Sequence, residues 1–156
     1  MQKNKIMPQS LSKLYVHIVF HIKNNDVTIC PEDEKELYAY IGGIIKANNA
    51  LPIMINGTEN HVHILTTMSK NISLAQFVEE IKRNSSRWIK GKGEHYRFFA
   101  WQGGYAGYSV SQSKVAIVEK YIEKQKQHHK NETFQEEYVK FLREYNVDFD
   151  EKYLWT

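Results

Sequence analysis

The chain has 156 residues, 42% of them hydrophobic, which is enough to build a single domain around one core. Its 21 Lys and Arg against 18 Asp and Glu leave a formal charge of +3, so the overall charge does not reveal a nucleic-acid partner. The single cysteine, Cys30, excludes an intramolecular disulfide framework and a thiolate cluster supplied by one chain. With no signal-peptide pattern and no long apolar run, the sequence predicts a soluble protein of a reducing cytoplasm.

The first half of the chain contains three predicted strands and one helix. In KLYVHIVFHIK, residues 13–23, alternation with a period of two predicts a strand with His17 and His21 on the face opposite its main apolar residues. Pro31 and three acids then open a helix that is predicted to reach about Asn48. LPIMING and HVHILTT are short apolar runs separated by polar residues, which predicts an antiparallel hairpin.

The second half begins with a predicted helix from Ser73, its N-cap, to about Lys90. YRFFAWQGGYAGYSV is interpreted as strand, turn and bulge, and residues 115–129 as a third helix. A short fourth helix over FQEEYVKFLREY precedes an aromatic tail. The order strand, helix, strand, strand, helix, strand predicts an α+β fold, a ferredoxin-like split βαβ sandwich with an antiparallel sheet and additional C-terminal helices carrying Tyr121.

Two histidines of the predicted hairpin form a candidate metal site. Residues two apart on a strand share a face, so His61 and His63 point to one place while Val62 and Ile64 enter the core. With one cysteine and no further histidine nearby in the sequence, tetrahedral zinc is disfavoured, and Mg²⁺ or Mn²⁺ with mixed nitrogen and oxygen ligands is expected. Taken alone, such a pair is more often a pair of surface or hydrogen-bonded histidines than a ligand pair.

Tyr121 and Gln125 form a second candidate pair. They lie four residues apart on the third helix and therefore share one face. A protonated phenol, with a pKa near 10, is a poor nucleophile, but beside a metal-bound phosphate its anion can attack phosphorus, and Gln125 adds an amide oxygen for the metal. The competing interpretation is that Tyr121 packs on the sheet, as most of the ten tyrosines must.

Basic residues crowd the end of the second helix, next to aromatic side chains. Cations on phosphates and rings against unpaired bases would suit single-stranded DNA. The alternative is a solvated helix end, where cations complement the helix dipole without any ligand. The candidate DNA-binding residues are Lys82, Arg83, Arg87, Lys90, Lys92 and Arg97.

Several segments together resemble one protein family. NHVHIL resembles the histidine-hydrophobe-histidine motif of the HUH nucleases, and YIEKQ resembles the tyrosine helix of the single-tyrosine transposases of small bacterial insertion sequences. KLYVHIVFHIK, KRNSSRWIK, WQGGYAGYSVSQS and YIEKQKQHHKNETFQEEY also resemble this IS200-like family and its REP-associated tyrosine relatives. The resemblance runs from Ser12 to Trp155 and implies one HUH transposase domain over 1–156, with a core of about 12–129 and a C-terminal helix and tail over 130–156.

The resemblance also implies a site and a reaction. By position, His61 and His63 become metal ligands, Tyr121 the nucleophile and Gln125 the third ligand. The implied enzyme cuts and rejoins single-stranded DNA with hairpin ends through a 5′-phosphotyrosine, using Mg²⁺ or Mn²⁺ and no nucleotide cofactor, on nucleoid-associated DNA of the bacterial cytoplasm. The family further implies a homodimer in which the histidines of one subunit can meet the tyrosine helix of the other.

The family resemblance also bears on three other residues. Asn60 occupies a position where relatives often carry aspartate, and its side chain can still accept a hydrogen bond and orient an imidazole. His128 and His129 resemble family residues on the tyrosine helix. For both of them a surface or substrate-positioning role is favoured over a metal-ligand role.

Other functions compete with transposition of the protein's own element. A domesticated REP-associated protein, a replication initiator or a plasmid relaxase would share the nicking chemistry, although the last two commonly carry further domains. A non-catalytic module would instead hold single-stranded nucleic acid on the sheet through aromatic residues.

Overall fold

A computed structural model describes residues 8–155, so the ends of the predicted domain, residues 1–7 and 156, lie outside the described part. Four strands form one antiparallel sheet in the order β2-β3-β1-β4. The strands are β1 (Leu14–His21), β2 (Pro52–Gly57), β3 (His61–Met68) and β4 (Ala106–Val110), and the helices are α1 (Glu34–Ala47), α2 (Leu74–Lys90), α3 (Val115–Glu123), α4 (Gln125–His128), α5 (Phe134–Glu144) and α6 (Glu151–Leu154). The predicted α+β, ferredoxin-like class is confirmed.

One face of the sheet builds the main apolar core with α1 and α2. The alternation predicted for β1 is confirmed, because Ile18, Phe20 and Ile22 are all buried on this face. Val62 and Ile64 of β3 join them, as expected for residues flanking the two histidines. The helices contribute Leu37, Ile41, Ile45, Phe77, Val78, Ile81 and Ile89.

The opposite face of the sheet carries histidines among its apolar residues. In the antiparallel register of β1 and β3, Val19 pairs with His63 and His21 pairs with His61, so these side chains share one face. This face is covered by α3 and α5 through Ile122, Phe134, Tyr138 and Leu142. Imidazoles are therefore buried on this face, where each must find a hydrogen-bond partner.

The third predicted helix is two helices, which corrects the sequence interpretation. α3 ends at Glu123, and Lys124 leaves helical geometry with φ −96° and ψ 19°. The Asn56 side-chain amide donates to the carbonyl oxygens of Ile122 and Glu123, at 3.0 and 3.1 Å, and so takes acceptors that a continuing helix would use. The break depends on a residue of β2, which local periodicity cannot reveal.

The segment before β4 also departs from its prediction. Only Ala106–Val110 forms a strand, and Glu94–Tyr96 is a single 3₁₀ turn. Trp101 makes one isolated bridge with Ile22, and its indole N–H donates to Ser85 Oγ at 3.0 Å. The aromatic residues here mainly fill the core instead of extending the sheet.

Side-chain caps fix the starts of α2 and α5. The predicted N-cap Ser73 is confirmed, because its hydroxyl accepts from the Gln76 N–H. α5 begins with a capping box formed by Thr133 and Glu136. Within residues 8–155, no helix is long and apolar enough to cross a membrane.

Candidate metal and tyrosine site

β3 brings His61 and His63 to one buried point on the histidine face, and both are 0% exposed. His63 Nε2 lies 2.9 Å from Glu137 Oε1, and His61 Nε2 lies 3.7 Å from the same oxygen. Glu137 comes from α5, which crosses this face of the sheet. The two imidazoles predicted to act together therefore converge on a carboxylate.

A third imidazole completes the cluster. His129 Nε2 lies 3.1 Å from Glu137 Oε1, and the ligand atoms of His61, His63, His129 and Glu137 all lie within 4.8 Å of one another. Bonds of about 2.1 Å to one ion would place opposite donors about 4.2 Å apart, so small side-chain shifts bring all four onto a single ion. Three imidazoles and one carboxylate therefore fit a divalent cation.

The charge states of Glu137 and His61 favour metal binding. Burial raises the pKa of Glu137, but hydrogen bonds from His129 and His63 lower it more, so the net pKa lies well below the usual value and the carboxylate is ionised. Burial, together with the neighbouring His63, lowers the pKa of His61 well below its usual value. His61 is thus neutral near pH 7, which is the form of imidazole that binds a metal.

The outer nitrogens of the two strand histidines have partners of their own. His61 Nδ1 lies 2.7 Å from Asn60 Oδ1 and 2.9 Å from Thr58 Oγ1, so Asn60 makes the orienting contact expected of it. His63 Nδ1 lies 2.8 Å from His17 Nε2, so His17 has a structural role as a buried hydrogen-bond partner. These contacts hold both rings with Nε2 toward Glu137.

Tyr121 reaches the same carboxylate from α3. Its hydroxyl donates to Glu137 Oε2, and its ring is half-buried against His128, with ring centroids 4.6 Å apart. Burial, and then the hydrogen bond to Glu137, raise the pKa of Tyr121 above its usual value. Tyrosine and histidines of the same chain therefore meet, whereas the family resemblance allowed the site to be shared between subunits.

Gln125 is fully buried between the tyrosine and the histidines. Its side-chain N–H donates to Glu137 Oε2 at 3.0 Å, while its Oε1 lies 3.0 Å from His61 Nε2 and 3.1 Å from His129 Nε2. The amide oxygen thus faces the point where the imidazoles converge. Its role as a metal ligand stays a prediction.

Sequence reasoning missed Glu137 and favoured a non-ligand role for His129. The histidine follows directly after the short α4, which starts after the break at Lys124. A signal for Glu137 was present, because Phe134, Glu137 and Phe141 follow i, i+3, i+7 spacing and so place an acid on the apolar face of a helix. Such an acid needs partners when it is buried.

The predicted DNA-binding cations lie on α2 and the turn that follows it, on the other side of the sheet from the histidines. Most are engaged within the chain. Arg83 pairs with Glu79 and Glu80, Lys92 with Glu36, and Arg97 with Glu94, while Lys82 Nζ donates to the carbonyl oxygens of Gln102 and Gly104. Arg87 and Lys90 are exposed and form no ion pair within the part of the chain that the structure describes.

The aromatic residues near these cations are divided between core and surface. Tyr96 and Phe99 are buried, at 2% and 1% exposed, and so are not available to stack on bases. Trp88 is stacked on Tyr40 with ring centroids 5.0 Å apart. Phe98, at 77% exposed, is the ring most available to a partner here.

Comparison with known proteins assigns the chain to a family. The sequence model described as "Transposase IS200 like" matches residues 10–125, about three quarters of the chain. The chain belongs to the IS200-like transposase family. The match covers His61, His63 and Tyr121 and ends at Gln125, so His129 and Glu137 lie beyond the matched segment of this IS200-like transposase.

Solved structures agree with this fold. A Deinococcus radiodurans R1 protein described as a transposase is 22% identical, with a TM-score of 0.59, and the alignment covers 78% of this chain and 97% of that one. A REP-associated tyrosine transposase bound to a REP hairpin is 11% identical, with a TM-score of 0.58, covering 81% of this chain and 74% of that one. The comparison with curated proteins gives no match.

Replacing Asn60 tests whether His61 is oriented from outside the cluster. Asn60→Ala removes the oxygen 2.7 Å from His61 Nδ1, and loss of such an outer partner lowers metal affinity by roughly 10- to 100-fold. Asn60→Asp keeps an acceptor and should retain the affinity of the parent. Titration of the DNA-free protein with Mn²⁺ measures both variants, and equal affinity of Asn60→Ala and the parent would contradict this role.

Proposed function

We propose that this IS200-like transposase cuts and rejoins single-stranded DNA through a covalent bond between phosphorus and Tyr121. The observation that carries the proposal is the convergence of a strand histidine and a tyrosine on one buried carboxylate. Glu137 Oε1 faces His63, and Glu137 Oε2 accepts from the Tyr121 hydroxyl. The proposed nucleophile and the candidate metal site thus lie side by side in one chain.

His61, His63 and Gln125 are the proposed metal ligands, and His129 and Glu137 lie within reach of the same ion. When bound, a divalent ion such as Mg²⁺ or Mn²⁺ would neutralise charge on the scissile phosphate. His61 and His63 are fully buried, so the candidate site beside the tyrosine is shielded from bulk water. Positioning of the reacting groups contributes much of the acceleration in phosphoryl transfer.

The proposed step forms one bond and breaks another. Tyr121 Oη attacks phosphorus in line, the new oxygen–phosphorus bond forms, and the bond from phosphorus to the 3′-oxygen of the neighbouring nucleotide breaks. The phenol proton has Glu137 Oε2 as its acceptor, and the leaving 3′-oxygen takes a proton from water. The products are a 5′-phosphotyrosine and a free 3′-hydroxyl.

Rejoining is the reverse reaction with another strand. A 3′-hydroxyl attacks the phosphotyrosine, and Tyr121 leaves and recovers its proton. The phosphodiester bond energy is conserved in the covalent intermediate, so no nucleotide cofactor is needed. Because the tyrosine meets the histidines of its own chain, we propose that each copy of a homodimer uses its own Tyr121.

The proposed substrate is single-stranded DNA that carries a hairpin. Support comes from the similarly folded REP-associated transposase, which is bound to a REP hairpin. Among the six cations predicted to bind DNA, Arg87 and Lys90 are the best placed, because the other four are engaged within the chain. Phe98, exposed beside Arg97, offers a ring for an unpaired base.

Removal of the tyrosine hydroxyl tests the reaction directly. Incubation of a fluorescent hairpin-bearing single strand with the protein and Mn²⁺ should give a covalent adduct that survives denaturation. Tyr121→Phe should abolish the adduct while leaving DNA affinity within about twofold, because only the attacking atom is lost. Tyr145→Phe, on an exposed residue, is the matched control and should behave as the parent.

Two results would refute this reaction. An adduct that persists in Tyr121→Phe would exclude Tyr121 as the nucleophile. The absence of any adduct across a set of hairpin substrates, with DNA binding intact, would favour a non-catalytic single-strand binding module.

The salt dependence of DNA binding tests whether Arg87 and Lys90 contact DNA phosphates. Each lysine or arginine that neutralises a phosphate contributes about one unit to the slope of log affinity against log salt. Arg87→Gln with Lys90→Gln should weaken binding and reduce the slope by about two, measured by fluorescence anisotropy. Arg83→Gln, whose guanidinium is paired with Glu79 and Glu80, should change the slope little. If Arg83→Gln reduced the slope as much as the double variant does, the assignment of Arg87 and Lys90 to DNA binding would be contradicted.

A further inference from the structure

The part of the chain after the family match contributes atoms to the candidate metal site. The matched segment ends at Gln125, whereas His129 lies in the turn after α4 and Glu137 lies in the middle of α5. Both side chains reach the point where the Nε2 atoms of His61 and His63 converge. The C-terminal segment is therefore packed into the site, with Phe134 and Tyr138 anchoring α5 to the sheet.

Glu137 is placed to serve two sets of partners at once. Its Oε1 faces the imidazoles, at 2.9 Å from His63 Nε2 and 3.1 Å from His129 Nε2. Its Oε2 accepts from Tyr121 and from Gln125. One oxygen can bind a cation among the imidazoles while the other keeps the tyrosine beside it.

The donor set is rich in nitrogen. His61 and His63 already use Nδ1 in contacts with Asn60 and His17, so Nε2 is the nitrogen left for a metal on each ring. With His129 the cluster supplies three imidazole nitrogens and one carboxylate. Imidazole nitrogens favour transition-metal cations, whereas Mg²⁺ prefers oxygen ligands.

The enclosure of the cluster also disfavours Mg²⁺. His61, His63 and Glu137 are at most 1% exposed, and the His129 side chain is 11% exposed. Mg²⁺ gives up its water reluctantly and usually keeps several water ligands in proteins. A site formed by four buried or nearly buried side chains offers little space for those waters.

We propose that His129 and Glu137 complete the metal centre as ligands beside His61, His63 and Gln125, and that its three imidazoles and one carboxylate make the site select Mn²⁺ over Mg²⁺. The inference rests on the proposed function in treating the cluster as the metal centre. It makes the segment after residue 125 part of the active site and narrows the two ions expected from the sequence to one.

Metal binding without DNA tests the inference. The full chain, prepared without a polyhistidine tag, is titrated with Mn²⁺ and followed by the EPR signal of the free ion, and Mg²⁺ is then added as a competitor. We expect one site per chain that a large excess of Mg²⁺ does not empty. Glu137→Gln and His129→Asn should each weaken Mn²⁺ binding by about tenfold or more, since loss of even an outer partner costs that much.

Matched controls and a folding check complete the design. Two variants serve as controls: Glu144→Gln, on the exposed surface of α5, and His95→Gln, far from the cluster. Both should bind Mn²⁺ as the parent does. Circular dichroism verifies that each variant is folded, and if Glu137→Gln fails this check the more exposed His129→Asn carries the test.

Parent-like Mn²⁺ affinity in folded His129→Asn and Glu137→Gln would overturn the inference, because the two groups would then only form hydrogen bonds. Emptying of the Mn²⁺ site by that excess of Mg²⁺ would overturn the proposed selectivity. A missing Tyr121 adduct would refute the proposed reaction and leave the metal-binding result unaffected, so the two failures are distinguishable.

Discussion

The burial of the Glu137 carboxylate is the constraint on which the site depends. Moving a carboxylate out of water costs several kcal/mol, so it must be surrounded by groups that compensate the charge. The partners come from β3, from α3 and from the segment after it: His63, Tyr121, Gln125 and His129. A single buried charge thus holds the proposed nucleophile, the amide and the histidines in one place.

The sheet separates this polar cluster from the main core. Because side chains alternate along β1 and β3, the same strands supply Ile18 and Ile64 to the apolar face and His17 and His63 to the other. A shift of register by one residue would exchange the two faces, so the packing of α1 and α2 also fixes the histidines. The alternation of side chains along the strands therefore determines both the packing of the core and the position of the histidines.

Local sequence patterns were sufficient for most of the elements and for part of the site. Alternation predicted β1, the Ser73 cap predicted the start of α2, and spacing predicted that His61 and His63 share a face. The break at Lys124 was missed because it depends on Asn56, more than 60 residues earlier. Glu137 was missed because its partners meet only after α5 packs on the sheet, although its place on an apolar helix face is a readable signal.

The central claim is that one chain gathers three imidazoles, a carboxylate and a tyrosine around one divalent ion. Anomalous scattering from crystals grown with Mn²⁺ tests it most directly. The account predicts one peak about 2.1 Å from the Nε2 atoms of His61, His63 and His129 and from a Glu137 oxygen, with Tyr121 of the same chain adjacent. A peak bound by His61 and His63 alone, with Glu137 turned away, would contradict it.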